Sequence, residues 1–264
     1  MKDLSNKTIW ITGASDGIGK ELSIQLAQLG NRIILTARNK AKLQQTKAIL
    51  KGDNHIVFPM DLLKTEAIPQ AVNDILTQAG TIDVLINNAG ISQRSLIKDT
   101  SFDVDRRIME LDYFAAIYLT KALLPHFTTR QTGCIVAISS VAGKLGTPMR
   151  SAYCAAKHAI IGFMDSLRAE VFQDNIEVLV VAPGSTKTNI SKNALEGNGN
   201  NHGVTDPAIE NGISVEECVR QIIKGIENNS KEILIARGKE KLAVYVRRFF
   251  PKLLFKMVRA IKST

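Results

Sequence analysis

The sequence is poor in cysteine and aromatic residues and has no long uncharged apolar run. Its three cysteines, Cys134, Cys154 and Cys218, are an odd number and widely spaced. They cannot build a disulfide framework and lack metal-ligand spacing, so a reduced, cytoplasmic setting with no metal is expected. No apolar run reaches the roughly 18 residues of a membrane-spanning helix. The first seven residues are mostly polar and run straight into the apolar Thr8-Ile9-Trp10-Ile11, which does not read as a secretion signal. Acidic residues are scarce at one place only: residues 237–264 hold nine basic residues and one acidic, whereas the preceding 236 hold 25 and 24. The net charge of +9 therefore belongs to the tail. A nucleic-acid footprint spread over the fold is not expected.

What is present is an ordinary globular composition, 45% hydrophobic and 22% charged, in 264 residues, enough for a large core in one domain. Short apolar runs alternate with helical stretches. Strands are predicted at 8–12, 32–37, 55–58, 84–87, 134–139, 177–181 and 232–236. Helices fall between them, for instance at 18–29 and 102–127. Strands that are apolar on both faces, in strict alternation with helices, predict an open, doubly wound parallel α/β sheet of Rossmann type.

Two places carry chemistry. Tyr153 and Lys157 are four residues apart in a helix-friendly stretch, so they share one helix face. A nearby ammonium stabilises a phenolate, which suits proton transfer. Ser140 follows the apolar run 134–138, where a strand ends, and its hydroxyl is placed to bond the same substrate oxygen. A Tyr-x-x-x-Lys pair alone arises easily by chance and draws its weight from its surroundings. The second place is the first strand-to-helix turn, Thr12-Gly13-Ala14-Ser15-Asp16-Gly17-Ile18-Gly19. Its glycines let backbone N–H groups approach a diphosphate at the positive end of the next helix. The spacing is Gly-x-x-x-Gly-x-Gly, not the usual dinucleotide fingerprint.

Together with Asn87-Asn88-Ala89-Gly90 and Pro183-Gly184-Ser185-Thr186-Lys187-Thr188, these motifs resemble the short-chain dehydrogenase/reductase family in its single-domain branch, over residues 7 to about 236. The resemblance implies a three-layer fold with seven parallel strands, an NAD(H) or NADP(H) cofactor, a small carbonyl or alcohol substrate and a homo-oligomer, dimer or tetramer. It implies Tyr153 as acid/base, Ser140 as the group orienting the substrate oxygen, and Lys157 as the ribose ligand that assists the tyrosine. It further implies Asp61 at the adenine amino group, Asn87 supporting the adenosine side and the central strand, Pro183, Gly184 and Thr188 about the carboxamide, and Thr186 on the cofactor beside them. Residue by residue, Asp61 can equally be a helix cap and Asn88-Ala89-Gly90 a turn.

Cofactor choice follows from charge. NAD preference calls for a carboxylate at the end of the second strand. Thr36-Ala37-Arg38-Asn39-Lys40 has none, and Arg38 can pair with a 2′-phosphate. NADP(H) is expected over NAD(H), with Asp16 as the opposing feature, since many NADP-preferring relatives place a basic residue in that turn. A departure from the family falls at Asp112, where the resemblance implies a fourth catalytic residue, Asn, holding a water in the proton path to the lysine. These features predict an NADP(H)-dependent carbonyl reductase, with a lipid-like substrate suggested by the tail. The competing reading is a non-catalytic NADP(H)-binding regulatory or scaffold protein.

Residues 189–212 read as a mobile substrate loop within a catalytic domain of 1–237, and Ser214-Val215-Glu216-Glu217 as a capping box. The extension, 238–264, reads as two helices broken near Pro251. One apolar stripe is Leu242, Tyr245, Val246 and Phe249, and another Leu254, Met257, Val258 and Ile261. Lys252, Lys256, Arg259 and Lys262 lie mainly opposite. Such a segment, 238–262, either lies on an anionic membrane or packs on its own core or a partner subunit.

Overall fold

The computed structural model describes residues 3–259. Seven parallel strands form one sheet in the order β3-β2-β1-β4-β5-β6-β7. They are β1 Thr8–Thr12, β2 Arg32–Ala37, β3 Ile56–Pro59, β4 Val84–Asn87, β5 Gly133–Ile138, β6 Ile176–Pro183 and β7 Glu232–Ile235. β6 exceeds the expected 177–181 at both ends, and β7 pairs with it as far as Pro183 opposite Ile235.

Helices cover both faces. α1 (Gly17–Gln28) and α2 (Lys40–Ala48) lie on one side; α3 (Ile68–Ala79), α4 (Phe102–Met109), α5 (Ala115–Arg130) and α6 (Ser151–Glu170) follow in the chain. A single turn, α7 (Pro207–Glu210), precedes α8 (Val215–Glu227). Alternate strand residues separate the two cores, as a period of two requires. Ile9, Ile11, Ile33 and Leu35 pack with Leu22 and Leu26 of α1 and Val219 and Ile222 of α8. Trp10, Ile34 and Leu85 pack with Ile75 of α3, Leu119 of α5 and Ile160 of α6. The fully buried Trp10 donates its indole N–H to Thr36 Oγ1 at 2.8 Å, so its polar atom is satisfied.

The helix expected over 102–127 is not uniform. Between α4 and α5, residues Glu110–Phe114 form a π-helical turn. A widened turn re-aims side chains and recurs at functional sites; here it carries the buried Asp112. Ser214 caps α8 by accepting from Glu217 N at 3.2 Å, while the Glu217 carboxylate bonds Arg220 and Gln221.

The tail forms α9 (Gly238–Phe249) and α10 (Pro251–Arg259). Pro251 opens α10, where its missing N–H has no helical partner to lose. The two stripes do not become one buried face. Leu254 is buried, and Val246 and Val258 pack beside it, but Leu242, Tyr245, Phe249 and Met257 are exposed. α9 is placed with its Glu240 on Ser185. Ile261 and Lys262 lie outside the described residues.

Candidate active site

β1 and β4 are neighbours, yet the chain leaves them toward opposite edges of the sheet. Ligands of such sheets bind in the crevice at this point, beyond the carboxyl ends of the strands. The glycine turn lies there. Gly13 (φ +67°) and Gly17 (φ +52°) occupy the left-handed region, which side-chain-bearing residues rarely adopt. Thr12 Oγ1 accepts from the N–H groups of Asn88 and Ala89, both at 3.0 Å. Asn88 Nδ2 donates to Thr12 O at 2.9 Å, locking the two strand ends together. Asp16 caps α1, accepting from Gly17 N at 2.7 Å, and is held in turn by Asn189 Nδ2 at 2.9 Å.

One cavity of about 850 Å³ collects most of the predicted residues. Gly13, Ser15, Asp16, Gly17, Ile18, Arg38, Asp61, Ala89 and Gly90 line it toward the turn, and Pro183, Gly184, Thr186 and Thr188 line it beyond β6. Ser140, Tyr153, Lys157 and Asp112 line it as well. Asn87 is not on the cavity: it is buried and donates Nδ2 to Thr120 Oγ1 at 2.9 Å. Gly19 is not on it either, and serves packing, since a Cβ there would collide with Gly13 O and Asn88 Nδ2. Asp61 caps no helix; its Oδ1 accepts from Leu63 N at 3.2 Å in a local turn. The glycines that exclude a Cβ, the start of α1 and the paired polar loops fit a dinucleotide.

The catalytic set comes from three elements. Ser140 follows β5; its Oγ accepts from Ala142 N at 3.1 Å and donates to Pro183 O at 3.3 Å. Tyr153 and Lys157 lie one turn apart on α6, with the ammonium 5.7 Å from the centre of the tyrosine ring. Lys157 Nζ donates to Ile138 O at 3.1 Å. Asp112 Oδ1 accepts from Ile91 N at 2.8 Å, and its Oδ2 stands 3.1 Å from Lys157 Nζ, near enough for an ion pair although not aligned as a hydrogen bond. Burial opposes the charge on Lys157, but Asp112 and Tyr153 together outweigh it and raise the lysine above its ordinary range. Burial likewise pushes the Asp112 carboxyl up, against the pull of Lys157 and the Ile91 N–H. The two shifts make opposite demands, and the close approach of the ammonium decides for the ion pair.

Several site residues had no motif to announce them. Lys42, one turn into α2, joins Arg38 on the cavity wall. Arg94, almost fully buried, donates Nε to Asp206 Oδ2 at 2.9 Å, and Arg150 Nη2 reaches the same oxygen at 3.0 Å. Segment 189–212 is thus tied down: Arg94 N donates to Leu195 O at 2.8 Å, and Glu196 N donates to Asn200 O at 2.8 Å within the Asn/Gly-rich turn. Glu240 of α9 accepts from Ser185 N at 3.0 Å and Oγ at 2.6 Å, against Gly184. Opposite charges or polar partners distant in sequence leave no local pattern, which is why these were not legible.

A dinucleotide crevice with a Ser–Tyr–Lys set defines a class of oxidoreductase, and the comparisons agree. The family described as short chain dehydrogenase matches residues 7–199. The "Dehydrogenase/reductase SDR family member 7B" of Rattus norvegicus is 40% identical over 263 residues, covering 97% of this chain and 81% of that protein. Two solved structures share the fold. A short chain dehydrogenase/reductase from Burkholderia phymatum in complex with NAD has TM-score 0.85 and 19% identity over 96% of each chain. A short chain dehydrogenase from Burkholderia cenocepacia in complex with NADP has TM-score 0.81 and 21% identity over 97% of this chain and 98% of that one. This chain belongs to the short-chain dehydrogenase/reductase family. It is an NAD(P)-binding oxidoreductase acting on CH–OH donors.

Proposed function

We propose that the chain is an NADP(H)-dependent carbonyl reductase that interconverts a lipid-like ketone and its secondary alcohol. The observation carrying this reading is the contrast between the cationic and the apolar end of one cavity. Arg38 and Lys42 line one end, with no carboxylate from Thr36 to Lys42 to receive a free ribose 2′-OH. A guanidinium beside an ammonium suits a 2′-phosphate. At the other end Tyr153, Ser140 and Lys157 meet apolar walls that include Leu145, Leu195, Leu254 and Val258.

The nicotinamide, when bound, supplies or accepts the hydride at the substrate carbon. The rest is done by the chain. Ser140 donates to the carbonyl oxygen and aligns it with Tyr153, which gives that oxygen its proton. The ammonium of Lys157 stabilises the phenolate left behind. Asp112 and Ile138 O hold the ammonium in place. The apolar walls exclude water and favour a substrate with hydrocarbon surface.

The test is a panel of apolar ketones with purified protein, following loss of NADPH or NADH absorbance. The reading requires turnover that is faster with NADPH. NADPH binding without turnover of any ketone or alcohol would instead support a nucleotide-sensing protein, the reading that the Asp112–Lys157 pair favours if that pair blocks proton flow.

A further inference from the structure

We propose that α9–α10 docks on an anionic lipid bilayer through its outer face, while its inner face walls the catalytic cavity. Ala243, Leu254 and Val258 line that cavity, and Leu254 packs on Val141 and Leu145 beside Ser140. Turned the other way, Leu242, Tyr245, Phe249, Phe250, Leu253 and Phe255 are each half or more exposed. So much exposed apolar surface on two short helices marks an interaction site.

The occupant follows from charge. Lys241, Arg247, Arg248, Lys252, Lys256 and Arg259 are all exposed on the same two helices. The guanidinium of Arg247 lies 5.3 Å from the centre of the Phe255 ring, so cation and aromatic are presented together. The one acidic residue of the segment, Glu240, is turned inward onto Ser185 and does not offset this charge outside. A second copy of the chain docked symmetrically on this face would set the same cations against each other. An anionic bilayer accepts both features, the apolar side chains below the headgroups and the cations among them. Docking there brings the wall of the cavity to the phase in which an apolar ketone resides. The inference holds whichever cofactor or substrate the site takes.

The experiment is co-sedimentation of the full chain with vesicles of phosphatidylcholine mixed with phosphatidylserine, and with phosphatidylcholine alone. Binding is expected to the mixed vesicles only and to weaken as salt is added. Each basic residue near the surface contributes about a fivefold factor, so Arg247→Gln with Arg248→Gln should weaken binding about 25-fold at low salt. A second readout is a polarity-sensitive dye on Phe250→Cys. Labelling is selective because Cys134, Cys154 and Cys218 are buried. Its emission should shift to the blue on mixed vesicles. Equal binding to both vesicle types, binding to neither, or an unshifted dye would overturn the proposal. So would a dimer that Phe249→Gln with Phe250→Gln dissociates, in a protein that binds no vesicles.

Discussion

Asp112 and Lys157 form a buried ion pair, Oδ2 to Nζ at 3.1 Å, in which a π-helical turn brings a carboxylate to the lysine of the catalytic set. A carboxylate there does two things an amide cannot. It opposes the burial penalty on the ammonium of Lys157, and it adds a negative charge near the phenol of Tyr153. The site thus keeps its lysine cationic through direct contact.

The pH profile of Asp112→Asn tests this. In the native protein Lys157 lies above the ordinary lysine range, because Asp112, with Tyr153, outweighs burial. Removing the carboxylate takes away the larger of the two groups that oppose burial, so the lysine deprotonates at lower pH. The alkaline limb of kcat/KM should therefore move to lower pH in Asp112→Asn, with activity at neutral pH retained within about tenfold. An unmoved alkaline limb would show that the carboxylate does not govern the lysine.

Tyr153→Phe deletes a proton donor and no cofactor ligand. Turnover should fall by about 10²–10⁴-fold with NADPH affinity unchanged. Lys157→Ala removes both the ammonium and the partner of a fully buried carboxylate. It should lower turnover, cofactor affinity and thermal stability together, the last because Asp112 is left uncompensated. A Lys157→Ala variant with native cofactor affinity contradicts its ribose role.

Arg38→Asp removes one of the two cations, Arg38 and Lys42, that follow β2 on the cavity wall and provides an acceptor for a free 2′-OH. Preference should swing from NADPH toward NADH, and Lys42→Ala in addition should swing it further. Titration of both cofactors by intrinsic fluorescence decides the matter. Equal losses for the two would mean that neither residue reads the 2′-phosphate.

Asp206 is shared by Arg94 and Arg150 and is the clasp of segment 189–212. Burial opposes its charge, but the hydrogen bonds from Arg94 and the charge of Arg150 hold it below the ordinary carboxylate range. A depressed carboxyl stabilises the fold above about pH 4, where the unfolded group ionises, and that contribution is lost as pH falls through the folded-state value. Asp206→Asn should cost about 3 kcal/mol, since Arg94 loses its partner in a buried site. Amide exchange across 189–212 should rise in the variant more than in β1 or β5. Uniform exchange would mean that the clasp is not local.

Much of this protein was decided by local pattern. A strand with two buried faces must be apolar throughout, so β1, β2 and β4 stand at the bounds their sequences predict. Glycines that the turn requires and a Tyr–Lys pair on one helix face are equally local, and the cavity contains both. Tertiary structure decided what depends on partners far along the chain. Asn87, at the end of β4, found its partner in Thr120, 33 residues away on α5. The Asn/Gly-rich stretch, with little to bury, is held by bonds to other segments, its flank clasped by Arg94 through Asp206. The tail's amphipathic stripes did not foretell which apolar residues would be covered. α9 meets the fold through Glu240 on Ser185 and through Ala243, Val244 and Val246, and a stripe records only that a face is apolar, not which surface comes to meet it.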